Sequence, residues 1–226
     1  QMNENPVQRS LVGISATAAA EYFRDEEKKD ILFFADNMFR YIQARNELST
    51  ILDQVPNEGG YEPTVFSDVK VLQDRLSSNE NGSITSVQTI YVPADDISDP
   101  AVQFIQHEMD SIIVLSRKVA EQGVRPAVDL TLTSSSLLTP EIVGERHYML
   151  SVQVQALLQK YESLKGIIAI IGENELSPAD RSDYAKAKKL IANFSQNMNV
   201  MTKHNGIPGD YFTREETLKS IEEIIV

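Results

Sequence analysis

One aspartate, Asp36, has the clearest chemical setting in the chain. It directly follows an uninterrupted apolar run, Ile31 to Ala35, which is typical of a short strand buried on both faces of a sheet. A carboxylate at the carboxyl end of such a strand lies where open parallel sheets bind their ligands. It can hold Mg²⁺ through the water shell of the ion, and Mg²⁺ can bind nucleotide phosphates. An apolar strand that ends in an aspartate is the Walker B pattern.

A short motif of this kind has low specificity. Many α/β proteins end a core strand in an aspartate that only caps the next helix. The residues of this stretch alone therefore leave two roles open for Asp36, a magnesium-binding group and a helix cap.

Strands and helices alternate through the first part of the chain. Apolar periodicity and turn residues predict helices at 15–27, 38–52, 69–76 and 101–122, the last one ending at Gly123, and strands at 31–35, 83–92 and 124–130. A parallel sheet with crossover helices is the architecture that this alternation favours.

After Pro140 the pattern is helical only. Ser177 as N-cap, Pro178 at the first position and Asp180 as the acid of a capping box predict a helix start there. Together with the preceding apolar helix this predicts a helical hairpin, and 213–226 predicts one more helix. The charge also changes: 21 acidic and 11 basic residues precede position 141, against 12 and 10 after it. We therefore expect two modules, 1–140 and 141–226.

Composition excludes several classes of function. The 226 residues carry a net charge of −12, which argues against nucleic acid or an anionic membrane face as the main partner. The apolar runs are shorter than a membrane span requires, so we expect no direct membrane insertion. The chain has no cysteine, and its three histidines show no ligand spacing, which argues against thiol chemistry and a zinc-type catalytic site.

Several segments, in order, resemble the catalytic β subunit of the rotary (F-type) ATP synthase head. They are QMNE (1–4), AEYFRDEE (20–27), DILFFADNMFR (30–40), GYEPT (60–64), GSITSVQTIYVPADDISDP (82–100), VLSR (114–117), PAVD (126–129), IVG with HY (142–148) and NELSPAD (174–180). The YVPADD segment is the best discriminator, because related secretion ATPases and non-catalytic α subunits differ there.

The resemblance implies an α/β fold followed by an all-α part. Residues 1–140 would be the carboxyl-terminal half of a RecA-like parallel-sheet nucleotide-binding domain, and 141–226 a helical bundle domain. The crown barrel, the P-loop and the loop with the catalytic Glu-Arg pair have no counterpart in the 226 residues. Because a P-loop holds the phosphates, we do not expect this chain alone to hydrolyse ATP.

The resemblance also implies site residues. Asp36 would orient the water shell of Mg²⁺. The positively charged guanidinium of Arg40 would point towards the γ-phosphate of ATP; the alternative is that Arg40 is a surface or ion-paired arginine. Tyr91 would lie beside the nucleotide phosphates, or simply pack at a strand end. Asp95 and Asp96 would orient the loop on the phosphate side or be merely solvated.

The base pocket departs from the family pattern. The family holds adenine between aromatic side chains, whereas the matching positions here are Arg125, Met198 and His204. An arginine can stack on a base and a methionine can line an apolar slot. The loss of all three aromatics nevertheless predicts a weakened or altered pocket.

The turn of the helical hairpin resembles the one that contacts the rotating central stalk in the family. Glu175, Leu176 and Asp180 are the expected contact residues, although three acids of the family turn are replaced by Asn174, Pro178 and Ala179. A solvated acidic turn without a partner is the alternative.

Three functions follow as hypotheses. The first is part of a β-type subunit that binds Mg-ATP or Mg-ADP beside α-type subunits in a hetero-hexameric ring and couples ATP hydrolysis or synthesis to rotation of a γ-type stalk. The second is a degenerate, non-catalytic β-like structural or adaptor subunit. A secretion or helicase motor is a weaker third. The first implies the head of a membrane-associated complex, on the cytoplasmic side of a bacterial membrane in preference to the mitochondrial matrix side.

Overall fold

A computed structural model describes residues 3–56, 60–92 and 96–225 of the chain. The chain forms two compact units, Gln1–Met109 and Asp110–Val226. The expected boundary of modules near residue 140 stays a prediction.

The first unit contains a parallel strand pair and four helices among its described residues. These are α1 (Pro6–Asp25), β1 (Ile31–Ala35), α2 (Met38–Ile51), α3 (Val65–Arg75), β2 (Ile84–Gln88) and α4 (Pro100–His107). Helix α1 begins well before the predicted residue 15, because Asn5 caps it by accepting a hydrogen bond from the Gln8 N–H and Pro6 occupies the first turn. An Asn-Pro pair is a helix-start signal that apolar periodicity does not register.

Strands β1 and β2 pair in parallel, in register from Ile31 opposite Ile84 to Ala35 opposite Gln88. One face of this pair packs on the helices. On the other face Leu32 and Phe34 are 58% and 69% exposed. The prediction that β1 is buried on both faces is therefore wrong within the described residues. Because successive residues of a strand point to opposite faces, the unbroken apolar run gives β1 two apolar faces. The described elements cover only one of them.

The core of the first unit lies between the strand pair and helices α2, α3 and α4. Its fully buried side chains come from all three helices: Ile42, Val65, Val69, Val102 and Ile105. Helix α4 is fixed at its start by Asp99, whose carboxylate accepts hydrogen bonds from the Ala101 N–H and the Tyr61 hydroxyl, both at 2.8 Å. The helices therefore anchor β1 and β2 from one side.

The predicted helix 101–122 is wrong beyond residue 107. The chain instead forms β3 (Ser111–Ile112), an extended stretch, and α5 (Arg117–Glu121). Gly123, predicted to end the long helix, follows the C-cap residue of α5 in the left-handed region, with φ of 80°. The run Ile112 to Val114 is β-branched, and such side chains lose rotamer freedom in a helix. Residues 124–130 form no strand either; they contribute an isolated antiparallel bridge between Leu115 and Val128.

The second unit is mainly helical after a short antiparallel pair. Its remaining elements are β4 (Ser134–Ser135), which pairs with β3, α6 (Pro140–Val143), α7 (Glu145–Ile171), α8 (Pro178–Phe194), α9 (Thr202–Asn205) and α10 (Arg214–Ile225), with 3₁₀ turns at Glu173–Glu175 and Asn199–Met201. Helices α7 and α8 form the predicted hairpin, and α10 packs on both through Leu218 and Ile221. No helix within the described residues is long and apolar enough to cross a membrane.

Gly82 provides a test of this packing, because a Cβ atom there would lie 2.5 Å from the Lys29 carbonyl oxygen. We expect Gly82→Ala to lower the free energy of unfolding of the first unit by about 1–3 kcal/mol, since backbone must move to admit the methyl group. Urea unfolding followed by circular dichroism measures the change.

The matched control is Gly166→Ala in α7, where nothing lies within 4 Å of the added Cβ. Because alanine favours the helix, this variant should gain about 0.5–1 kcal/mol. A Gly82→Ala protein as stable as the wild type would contradict the close approach of residues 29 and 82.

Candidate functional site

The parallel strands β1 and β2 end at the same edge of the sheet. The residue after β1 is Asp36 and the residue after β2 is Thr89, because Ala35 pairs with Gln88. Both side chains are exposed at this edge. The strand pairing thus creates the candidate site at the carboxyl end of the sheet, where α/β proteins bind ligands.

Thr89 links the two strand ends through both its backbone and its side chain. Its N–H donates to the Ala35 carbonyl oxygen at 2.9 Å, and its carbonyl oxygen accepts from the Met38 N–H at 2.8 Å. Its hydroxyl donates to Asp36 Oδ1 at 3.0 Å and accepts from the Asn37 N–H at 2.7 Å. The turn that carries Asp36 is therefore held by one residue of the neighbouring strand.

Asn37 makes this turn possible by adopting a left-handed conformation, with φ of 64° and ψ of 71°. Asparagine tolerates this region better than most residues do. Its Oδ1 also accepts a hydrogen bond of 3.4 Å from the Tyr91 N–H. The predicted phosphate-side residue Tyr91 is thereby held near the turn, with its side chain 60% exposed.

Asp36 has no capping contact to α2 among the described residues, since the N-cap position belongs to Asn37. Arg40 lies in the first turn of α2 and is exposed, and within the described residues its guanidinium contacts no acidic side chain. The structure thus places Asp36, Arg40 and Tyr91 around one turn. The Asp96 carboxylate accepts from the N–H and hydroxyl of Ser98, whereas Asp95 lies outside the described residues.

The oxygen atoms at this turn fit Mg²⁺ held through water. Asp36 keeps Oδ2 without a hydrogen bond to any described residue, and Oδ1 carries one bond from a neutral hydroxyl. Within the described part of the chain, no cluster of three or more acidic, histidine or cysteine side chains could form a protein cage for a metal. One carboxylate with several waters and substrate phosphates is the usual Mg²⁺ arrangement in ATPases, so the donor set is suitable.

The predicted base-pocket residues lie in the second unit. The Arg125 guanidinium donates to the carbonyl oxygens of Ala120 and Val124, at 2.9 and 2.8 Å, so it caps the end of α5. The backbone of Arg125 bonds to Ser195 and Gln196, two residues before the half-buried Met198. His204, in α9, is exposed.

A cleft of about 500 Å³ lies beside this region within the second unit. Its walls are the alternate residues of segment 124–130 together with the end of α8 and the start of α10, and they include Val124, Val128, Phe194 and Phe212. Arg125, Met198 and His204 do not line it. The cleft beside Arg125 is therefore not the base pocket that the sequence predicts from Arg125, Met198 and His204.

The three residues predicted to contact the central stalk differ in exposure and in hydrogen bonding. Glu175 ends the 3₁₀ turn and is exposed, whereas Leu176 is 8% exposed and packs in the hairpin with Leu164 and Tyr184. Asp180 lies in the first turn of α8, where its carboxylate accepts from Lys160 Nζ at 2.7 Å. The Lys160 ammonium, and secondarily the Ser177 hydroxyl, hold the pKa of Asp180 below its usual value.

The predicted helix start at Ser177 is present, with one change. The Ser177 hydroxyl accepts from the Asp180 N–H at 3.1 Å, and it donates to the Asp180 carboxylate at 2.7 Å. The carboxylate therefore bonds to the serine side chain, whereas in a standard capping box it would bond to the backbone N–H.

Two groups important to these sites were missed by sequence reasoning. One is Thr89, which could be found only by pairing the residue after β2 with the residue after β1. The other is a stack of Tyr161 on Tyr184, with ring centroids 5.0 Å apart, that joins α7 to α8; Lys188 lies over the Tyr184 ring at 4.3 Å. This stack and the Lys160 contact join the middle of α7 to the first two turns of α8 and so stiffen the hairpin.

Known proteins match the chain over almost its full length. The model of the ATP synthase alpha/beta family, nucleotide-binding domain, matches residues 1–136, and that of the C-terminal domain of V and A type ATP synthase matches residues 137–205. ATP synthase subunit NeqB from Nanoarcheaum equitans superposes with a TM-score of 0.83 at 23% identity, over 100% of this chain and 55% of that one.

A second solved structure is the assembled ATPase EscN from the type III secretion system of enteropathogenic E. coli. It superposes with a TM-score of 0.82 at 27% identity, over 98% of this chain and 51% of that one. The chain thus spans about half the length of both solved proteins. These matches confirm the predicted fold class, a parallel-sheet nucleotide-binding domain followed by a helical domain.

The pKa of Asp180 makes the hairpin sensitive to acid. A carboxylate whose folded pKa is depressed stabilises the fold above its unfolded pKa of about 3.9, and this contribution is lost as pH falls through the folded pKa. We expect Asp180→Asn to lower the Tm at neutral pH, and the difference from wild type to shrink below about pH 4.

Thermal unfolding across this pH range measures the effect. Glu175→Gln is the matched control, because it removes an exposed acid of the same turn that has no hydrogen-bond partner among the described residues. A gap between Asp180→Asn and wild type that stays constant down to about pH 2.5 would argue against the Lys160 contact.

Proposed function

Because this chain belongs to the ATP synthase alpha/beta family, we propose that it is part of a catalytic, β-type subunit. It would bind Mg-ATP or Mg-ADP and couple ATP hydrolysis or synthesis to rotation of a central stalk. The observation that carries this proposal is Asp36 at the carboxyl end of paired parallel strands, with one carboxylate oxygen free for a ligand. The β type, rather than a secretion motor, is supported by the YVPADD segment at 91–96.

Each residue at the turn has a separate task in this proposal. Asp36 would bind water molecules of the magnesium ion and so orient it. When bound, Mg²⁺ neutralises phosphate charge. The guanidinium of Arg40 would place a positive charge near the terminal phosphate, where it would stabilise the negative charge that develops during phosphoryl transfer. Tyr91, held through its N–H by Asn37, would border the phosphates.

A complete site needs groups that these residues do not contain. The glycine-rich P-loop, which supplies backbone N–H groups and a lysine to the phosphates, would come from outside the 226 residues. The exposed face of β1, with Leu32 and Phe34, supports this requirement, because parallel sheets are normally covered on both faces. The acting enzyme would therefore be the complete assembly.

That assembly would be a hetero-hexameric ring with α-type neighbours and a γ-type stalk. The chain would belong to the head of a membrane-associated complex, on the cytoplasmic side of a bacterial membrane in preference to the mitochondrial matrix side. Glu175 would contact the stalk, while Leu176 would support the turn from within and Asp180 would fix it through Lys160.

A second candidate is a degenerate, non-catalytic β-like subunit. It is favoured by the base positions, where the aromatic side chains of the family are replaced by Arg125, Met198 and His204. Titration calorimetry of the complete assembly with Mg-ATP and Mg-GTP separates the candidates. Tight ATP binding with turnover rejects the second candidate, and binding without turnover rejects the first.

Asp36→Asn tests the catalytic proposal in the complete assembly, purified through a tag on this chain. The amide keeps the shape of the side chain but removes the charge, so ATPase activity should fall about 10–100-fold. Glu26→Gln, an exposed acid after α1, is the matched control and should leave the activity unchanged. An Asp36→Asn assembly with wild-type activity would refute the role of Asp36.

The stalk contact has its own test, which uses the absence of cysteine from the chain. Glu175→Cys introduces a single thiol into this chain at the exposed end of the hairpin. In the assembly, a short bifunctional reagent should link it to the central subunit. Glu162→Cys, on the side of α7, is the control, and equal yields of both cross-links would show that the turn is not the contact.

A further inference from the structure

We propose that Thr89 is a positioning residue that fixes the Asp36 carboxylate for its Mg²⁺–nucleotide ligand. The inference rests on the proposed function, because it concerns the carboxylate that would bind the hydrated ion. Thr89 is not among the site residues that the family resemblance implies.

The direction of the hydrogen bonds at Thr89 is fixed by chemistry. The Asn37 N–H can only donate, so at 2.7 Å the Thr89 hydroxyl must accept from it. The single proton of the hydroxyl then remains for Asp36 Oδ1 at 3.0 Å. A carboxylate accepts this bond only when the oxygen faces the hydroxyl, so the bond selects one orientation of the Asp36 side chain.

The threonine side chain is itself held in place. Its backbone N–H and carbonyl oxygen bond to Ala35 and Met38 on either side of the turn, so Cβ has a fixed position relative to Asp36. The β-branched side chain has restricted χ1 rotation, which limits the hydroxyl to few positions. The bond to Oδ1 therefore orders the carboxylate and leaves Oδ2 available, without a bond to any described residue.

The two contributions of residue 89 can be separated by mutation. Any residue except proline can make the two backbone bonds, whereas only serine or threonine combines them with a hydroxyl at this short reach. Thr89→Val keeps the shape and removes the hydroxyl, and Thr89→Ser keeps the hydroxyl. A purely structural role in strand pairing would be affected little by either variant.

The experiment uses the full 226-residue chain and Mn²⁺ as a paramagnetic probe for the Mg²⁺ position. Amide NMR signals of residues 36–40 broaden as Mn²⁺ binds at Asp36, and their titration gives a local affinity. We expect Thr89→Val to weaken this affinity about fivefold, while Thr89→Ser stays within about twofold of wild type. Groups that support direct metal ligands contribute about 10-fold or more, and the effect is smaller here because Asp36 would bind the ion through its water shell. The Asn37 amide proton should move upfield in Thr89→Val, because it loses its acceptor.

Asp36→Asn separates this inference from the proposed function. If Asp36→Asn abolishes the local broadening and Thr89→Val titrates like wild type, the positioning role is overturned while the metal role of Asp36 stands. If Asp36→Asn leaves the broadening unchanged, both are overturned. Should valine disturb the fold, seen as signal changes far from residues 35–38 and 89, Thr89→Ala replaces it, and the same fivefold weakening is required.

Discussion

The parallel pairing of two five-residue strands is the constraint on which the candidate site depends. With Ala35 opposite Gln88, the next residue of each strand emerges at the same edge, and Asp36 and Thr89 meet there. A shift of the register by one residue would turn every side chain of the shifted strand to the other face of the sheet. The packing of α2, α3 and α4 on one face of this pair fixes the register and so fixes the turn that carries the carboxylate.

The two units differ in how well they match the expected chemistry. In the first unit the polar side chains of Asp36, Asn37 and Thr89 meet at one turn, and Asp36 Oδ2 has no hydrogen bond to any described residue. In the second unit the Arg125 guanidinium bonds to the backbone carbonyl oxygens of Ala120 and Val124, and the residue is exposed.

The helical hairpin of α7 and α8 is held by several side-chain contacts, although its turn differs from that of the family. Three acidic positions of the family turn are absent, but Tyr161 stacks on Tyr184, and Lys160 bonds to both Asp180 and Asp183. These contacts link the middle of α7 to the first two turns of α8. The stiffness of the hairpin therefore comes from aromatic and ionic contacts, which do not depend on the acids missing from the turn.

The sequence by itself determined the strand at 31–35, the helices predicted at 38–52 and 213–226 to within one residue at each described end, the hairpin with its Ser177 start, and the position of Asp36 at a strand end. These features depend on local signals, namely an unbroken apolar run, helical periodicity and capping residues. The sequence failed at 101–122, where helical periodicity extended into a β-branched segment, and at the start of α1. Only the tertiary structure decided that Thr89 reaches Asp36, that Leu176 is buried and that Arg125 caps α5. The first two depend on which distant residue arrives beside a side chain, and packing sets that; Arg125 instead bonds to nearby residues, but the conformation of the chain after α5 decides which carbonyl oxygens it reaches.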